Sequence, residues 1–310
     1  MKSALKLVLI IVILTYGIDK AVYYTLNKIS DKVMSGQSIG KLNQFLSIKD
    51  SVNLIAFGSS RSNHHIDVKQ LNANSYNMGI DGSSIAYAAA LIQLLPENKS
   101  QTVLLNIDPN QLFIEDYDGS DVKGLITKYN RNTKIKEAIA SVNQDNSLQY
   151  FLWCLDYNGK AIGILKNFLS PKYDYKSYYG FDGLVVSESQ TEQFKKSLLI
   201  KSTYDCDKEK GIHPLAWKYI NDIAKFCNKT NKTLILLTTP TYEPECKIQY
   251  EILDKKLDSI GVNYKDYSGF FVQNNDITFW KDKTHLSSKG AAVFTEFLKQ
   301  DLQDIRETNH

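Results

Sequence analysis

Near the carboxyl terminus an aspartate stands three residues before a histidine, in Asp282-Lys283-Thr284-His285, with Leu286-Ser287-Ser288 leading on into a helical pattern. At that spacing a carboxylate can hold an imidazole in one tautomer, leaving the other ring nitrogen to accept a proton. Far upstream the tetrad Gly58-Ser59-Ser60-Arg61 closes an apolar run. The glycine permits a tight turn, and Ser60 would project from the start of the following helix. An activated hydroxyl, a histidine that moves its proton and an acid that orients the histidine are the groups that acyl transfer through a serine requires. We therefore expect Ser60 as nucleophile, with Asp282 and His285 completing a triad.

The rival histidines are His64, His65 and His213. None has an acid at a comparable spacing on its carboxyl side except His65 with Asp67, which is too close in the chain to reach over the serine. His64, His65 and Arg61 are expected instead to line the entrance or to bind an anionic substrate group.

The elements that must bring residues 60 and 285 together are legible as short apolar runs, each ended by a turn of Gly, Ser, Asn or Pro. Residues 52–57, 75–78, 102–107, 233–239 and 261–265 read as strands. Helical periods over 84–95, 247–260 and 287–302 lie between or after them, and Ser287 is placed to cap the last helix. Strands alternating with helices predict a parallel sheet covered by helices. In such sheets ligands bind outside the carboxyl ends of the strands, where both motifs fall. Between residues 113 and 213 the alternation breaks down. We expect an insertion over about 114–213, with an aromatic passage, Tyr173, Tyr175, Tyr178, Tyr179 and Phe181, that packs as a cap or offers a stacking platform for sugar rings.

From residue 52 onward these motifs resemble the SGNH, or GDSL, hydrolase family. Gly58-Ser59-Ser60 is similar to its first block, with Ser59 where an aspartate is usual. Asn77-Met78-Gly79-Ile80-Asp81-Gly82-Ser83-Ser84 resembles the second and Asp108-Pro109-Asn110-Gln111 the third, which here lacks its glycine. Asp282 and His285 match the last block unchanged. The resemblance implies a three-layer flavodoxin-like α/β fold and an oxyanion hole made by the amides of Ser60 and Gly82, with Gly79 as second choice, and by the Asn110 side chain. It also implies no cofactor and no metal. Anchored relatives assist polysaccharide O-acylation, so the implied substrate is an acyl ester on a glycan, and a membrane-bound acyltransferase is the expected partner. The departures at Ser59 and near Asn110 leave a second expectation open, a catalytically silent glycan-binding or scaffolding module of a polysaccharide modification or export complex.

Lys2 and Lys6 precede an apolar run from Leu7 to Ile18, which Asp19 and Lys20 end. We expect residues 1–26 to be an uncleaved signal anchor with the domain on the extracytoplasmic side, periplasmic or at the cell surface, residues 27–50 to be a stalk, and residues 51–310 to be the catalytic domain. With 310 residues and 43% hydrophobic composition the chain can bury a large core. A net charge of +3 with dispersed Lys and Arg gives no basic stripe, which argues against nucleic acid. Cys154, Cys206, Cys227 and Cys246 form no CxxC pair, so zinc is unsupported and disulfide pairing is left open.

Overall fold

The computed structural model describes residues 2–143, 146–200, 211–244 and 246–308. They divide into two compact units, Met1–Leu46 with Val122–Tyr175, and Ser47–Asp121 with Lys176–His310.

The first unit opens with helix α1 (Lys2–Ser30). Every residue from Lys2 to Ile18 is exposed. At Asp19 the helix changes character. Asp19, Tyr23, Asn27 and Ser30 are buried, a spacing of three to four that marks one face of a helix. Burial pushes the Asp19 carboxyl up, but the Lys20 ammonium and the Trp153 and Cys154 amides more than offset this and hold it below its ordinary range. Among the described residues no helix is long and apolar enough to cross a membrane. The expected anchor over 1–26 is therefore not supported as a membrane span: its apolar run stops at Asp19, well short of the roughly 20 residues a span requires.

The expected stalk is also corrected, because most of it is packed. Val33, Ile39, Leu42 and Phe45 are buried, and Val33 and Ile39 share a core with Tyr23, Tyr157 and Ile164. A short π-helical turn over Gly36–Gly40 breaks the helical period here, so the apolar residues face inward without a regular spacing in the sequence. The expected insertion is divided in the same way: residues 122–175 belong to this first unit, while 114–121, 176–200 and 211–213 belong to the second.

The second unit is α/β. Its strands β1 (Leu54–Phe57), β2 (Ser75–Asn77), β3 (Thr102–Asn106), β4 (Thr233–Thr238) and β5 (Asn263–Asp266) form one sheet in the order β2-β1-β3-β4-β5, with every pair parallel. All four β1 side chains are buried, as in a sheet covered on both faces. Helices α2 (Ser60–His65), α3 (Ile85–Ile92), α4 (Pro109–Leu112), α5 (Pro214–Lys229), α6 (Lys247–Asp258) and α7 (Ser288–Thr308) connect or follow the strands. Leu54, Ala56, Leu104, Ile235 and Leu237 share one apolar cluster with Trp280, Leu286, Phe294 and Leu298, which seats α7 on the sheet. Helices α3 and α5 pack on each other, and α7 packs on α2. The chain leaves β1 toward β2 on one side and returns to β3 on the other. The carboxyl ends of β1 and β3 therefore form the topological switch point where open α/β sheets bind ligands.

Cys154 and Cys227 are free thiols. Cys246 is disulfide-bonded, and Cys206 lies outside the described residues. Of the aromatic passage, Tyr179 and Phe181 pack against the core of the second unit rather than standing free as a platform.

Candidate functional site

Gly58, with φ +139, turns the chain sharply out of β1, and a Cβ there would stand 2.6 Å from the Asn106 carbonyl oxygen. Ser59 then stands at the cap position of α2, without a side-chain cap bond, and Ser60 begins the helix, so the Ser60 hydroxyl is presented at the carboxyl end of β1. Glycine is also required at Gly79, where a Cβ would approach the Asn63 backbone nitrogen to 2.5 Å. The Gly79 N–H donates to Asn77 Oδ1, and the Asn77 side-chain amide donates to the carbonyls of Ser62 and Ile66. Asn77 thereby clamps the turn after β2 to the helix that Ser60 begins.

Residues 279–287 display the acid and the histidine. Buried Trp280 and Leu286 pair across an antiparallel bridge, and the Ser287 N–H donates to the Phe279 carbonyl. Within this loop Asp282 Oδ1 accepts the backbone N–H groups of Thr284 and His285, each at 2.9 Å, which folds the carboxylate back toward the imidazole. Both Asp282 oxygens lie 3.0 Å from His285 Nδ1. Nδ1 therefore carries the proton, and Nε2 is the acceptor that faces Ser60 Oγ at 2.8 Å. Partial burial raises the Asp282 carboxyl, yet its bonds to His285 and the Thr284 amide prevail and bring it down to about 2. The acid thus stays ionised wherever the imidazole can act as a base. Chemically, the arrangement is an alcohol, a base and an orienting carboxylate in proton-sharing contact.

The three sequence-predicted members are brought together, and the expected oxyanion donors lie at Ser60 itself, in the turn after β2 and on α4. Ser60 is the first residue of α2, where an N–H has no carbonyl one helical turn back to bond. Gly82 lies in an exposed turn with φ +74. That turn is stitched to Gly58 by the Ile80 N–H at 3.0 Å and by the Ser83 hydroxyl at 3.2 Å. The Gly79 amide is committed to Asn77, which removes the second choice. Asn110 is exposed on α4, which Asp108 caps, and its own N–H donates to Asp108 Oδ1 at 3.0 Å. Asp108 Oδ2 in turn pairs with Arg61 at 3.2 Å.

The expectation for Arg61, His64 and His65 is corrected. Arg61 is 3% exposed. Its guanidinium donates to the Thr239 hydroxyl and carbonyl and pairs with Asp108, so it ties the turns after β3 and β4 to α2 instead of meeting an anion. His65 is fully buried, between Thr239 Oγ1 and the Leu286 amide. His64 is buried as well, its Nδ1 bonded to the Asp182 carbonyl at 2.6 Å and its Nε2 within 3.1 Å of Asp81. The sequence reading took the polarity of these side chains for exposure. Their partners lie 178 residues away for Arg61 and 221 for the His65 bond to Leu286, and no local signal reports them.

Asn106 was missed too. It accepts the Thr239 N–H, while its own side-chain Nδ2 is buried without a partner among the described residues, beside the Gly58 turn. Its place as the last residue of β3 was the available signal. Among the described residues no group of three or more His, Cys, Asp or Glu side chains gathers as a metal site would need.

No protein-family model matches this chain, and a search of the curated proteins finds no significant similarity.

Proposed function

We propose that the chain is a serine-dependent esterase or O-acyltransferase of the SGNH type, acting on acyl groups of a cell-surface or exported glycan. The observation that carries this reading is the 2.8 Å contact between Ser60 Oγ and His285 Nε2, with Asp282 on the far side of the same ring. Ser60 Oγ attacks the acyl carbonyl as its proton passes to His285 Nε2, and Asp282 stabilises the imidazolium that results. The tetrahedral oxyanion meets the Ser60 amide, with the Gly82 amide and Asn110 side chain as the remaining donors. Collapse expels the alcohol, which takes the proton from His285 and leaves an acyl ester on Ser60. A sugar hydroxyl or water, deprotonated by His285, then accepts the acyl group and restores the serine. In the transfer reaction a membrane-bound acyltransferase supplies the acyl group.

Two features support a location outside the cytoplasm at a membrane. Cys246 is in a disulfide, a bond that persists in oxidising compartments. The exposed apolar half of α1 also ends in an aromatic and cationic collar: Tyr16 packs on Phe151, and Lys20 lies over the Tyr16 and Trp153 rings. Side chains of this kind favour the bilayer interface.

The test is labelling of the full-length chain in detergent with a fluorophosphonate probe. Labelling of the wild type that disappears in Ser60→Ala and His285→Ala supports the enzyme. A wild type that stays unlabelled and cleaves no activated ester would leave a binding or scaffolding module instead.

A further inference from the structure

Three separate pieces of chain meet at His65, two of them on its imidazole. The Leu286 N–H donates to its Nε2 at 3.0 Å. Nε2 must therefore be the unprotonated nitrogen, and Nδ1–H donates to Thr239 Oγ1 at 3.0 Å. The residue's own carbonyl accepts the Thr295 hydroxyl of α7 at 3.2 Å, and that hydroxyl oxygen also accepts the Asp67 N–H at 3.1 Å. His65 ends the helix that Ser60 begins, and Leu286 is joined by a peptide bond to His285. One ring thus fixes the helix of the nucleophile against the backbone of the base.

His65 is not a spare base. Its ring centroid lies 6.3 Å from that of His285, its acceptor nitrogen is occupied, and the side chain has no exposure. Protonation of Nε2 would set two N–H groups against each other at Leu286. Burial, with the Arg61 charge beside it, pushes the imidazole well below its ordinary range and keeps the acceptor available.

We propose that His65 is a positioning residue for the reaction, which sets the distance between His285 and Ser60 through its bond to the Leu286 amide. This rests on the serine-hydrolase reading above. A displacement of about 1 Å at reacting groups can cost on the order of a hundredfold in rate, so loss of the bond is expected in kcat and the labelling rate, not in KM.

The experiment compares wild type, His65→Phe and His65→Gln in the full-length chain. Two quantities are read: the fluorophosphonate labelling rate and the hydrogen-exchange protection of the Leu286 amide. The Phe variant keeps a ring but neither bond. It is expected to label about tenfold to a hundredfold more slowly, with Leu286 deprotected and KM for an activated ester within twofold. Gln offers an acceptor and a donor at similar reach and should recover most of both quantities. The proposal is overturned if labelling and Leu286 protection part company: rapid labelling with Leu286 deprotected, slow labelling with it fully protected, or a folded Phe variant that matches wild type in both. If the Phe variant does not fold, the Gln variant decides by the same coupling. An unlabelled wild type would sink the hydrolase reading, whereas a labelled wild type indifferent to His65 would sink this one.

Discussion

Asp282 presents both carboxylate oxygens to one nitrogen of His285, at 3.0 Å each, and the same carboxylate is tied by two backbone amides to the loop that carries the histidine. Acid and base are therefore one local unit, and the serine is delivered to them from elsewhere in the chain.

Replacing Asp282 with Asn should reverse the imidazole. The Asn side-chain amide would donate to Nδ1 and leave Nε2 protonated toward Ser60, so the labelling rate should fall roughly 10²- to 10⁴-fold with the fold retained. A second consequence concerns acid. The Asp282 carboxyl lies near 2 in the folded chain against an ordinary 3.8. Its contribution to stability is full above about pH 4 and is lost as pH falls through about 2. The difference in thermal midpoint between wild type and Asp282→Asn should narrow across that window; a constant difference would contradict the assignment.

Asp156 works with the opposite sign. It is fully buried in the first unit, and desolvation raises its carboxyl to about 6 although Asn130 and Gln149 donate to it. For a carboxyl raised in the folded state, stability is greatest below the ordinary 3.8 and declines as pH rises through about 6. Hydrogen exchange of amides in residues 146–157 should therefore quicken between pH 4 and 7, after correction for the intrinsic rate. In Asp156→Asn this dependence should vanish.

Gly79→Ala forces a Cβ to within 2.5 Å of backbone in the helix that Ser60 begins. We expect a loss of about 1–3 kcal/mol and at least tenfold slower labelling. Gly261→Ala is the contrasting case. Gly261 has φ +67 with open space around it, so only the left-handed conformation is penalised, at roughly 1 kcal/mol, and labelling should be unchanged. Equal effects on labelling would show that crowding at α2 does not control the serine.

The exposed half of α1 should seat the chain on lipid. Full-length protein is expected to float with vesicles containing anionic lipid, and more weakly at high salt because Lys2 and Lys6 contribute. A chain lacking residues 2–18 should stay at the bottom of the gradient. Equal flotation of the two would remove this role from α1.

Ser60, Asp282 and His285 were legible because each sits in a local pattern: a glycine turn after an apolar run, and an acid three residues before a histidine. Strands β1, β3 and β4 were legible for a similar reason, since buried parallel strands read as unbroken apolar runs, and the structure moves the ends of all five strands by only one or two residues. Polarity misled the reading at Arg61, His64 and His65, whose burial depends on distant partners. It failed again over residues 27–46, where Val33, Ile39, Leu42 and Phe45 are hidden by a change of helical pitch. The supposed single insertion hid a division in space, because residues 122–175 fold with the amino terminus. The expected oxyanion donors Gly82 and Asn110, and Gly79 as second choice, are the least resolved by sequence, since glycine and asparagine are favoured in turns and at helix starts for purely conformational reasons.

Synthesis of this chain imposes an order on its chemistry. Ser60 is made 225 residues before the histidine it bonds, so at about 5–20 residues per second the ribosome takes roughly ten to forty-five seconds to supply His285. Throughout that interval Ser60 has no His285 to bond, and under the proposed function any product released early would be inert toward esters.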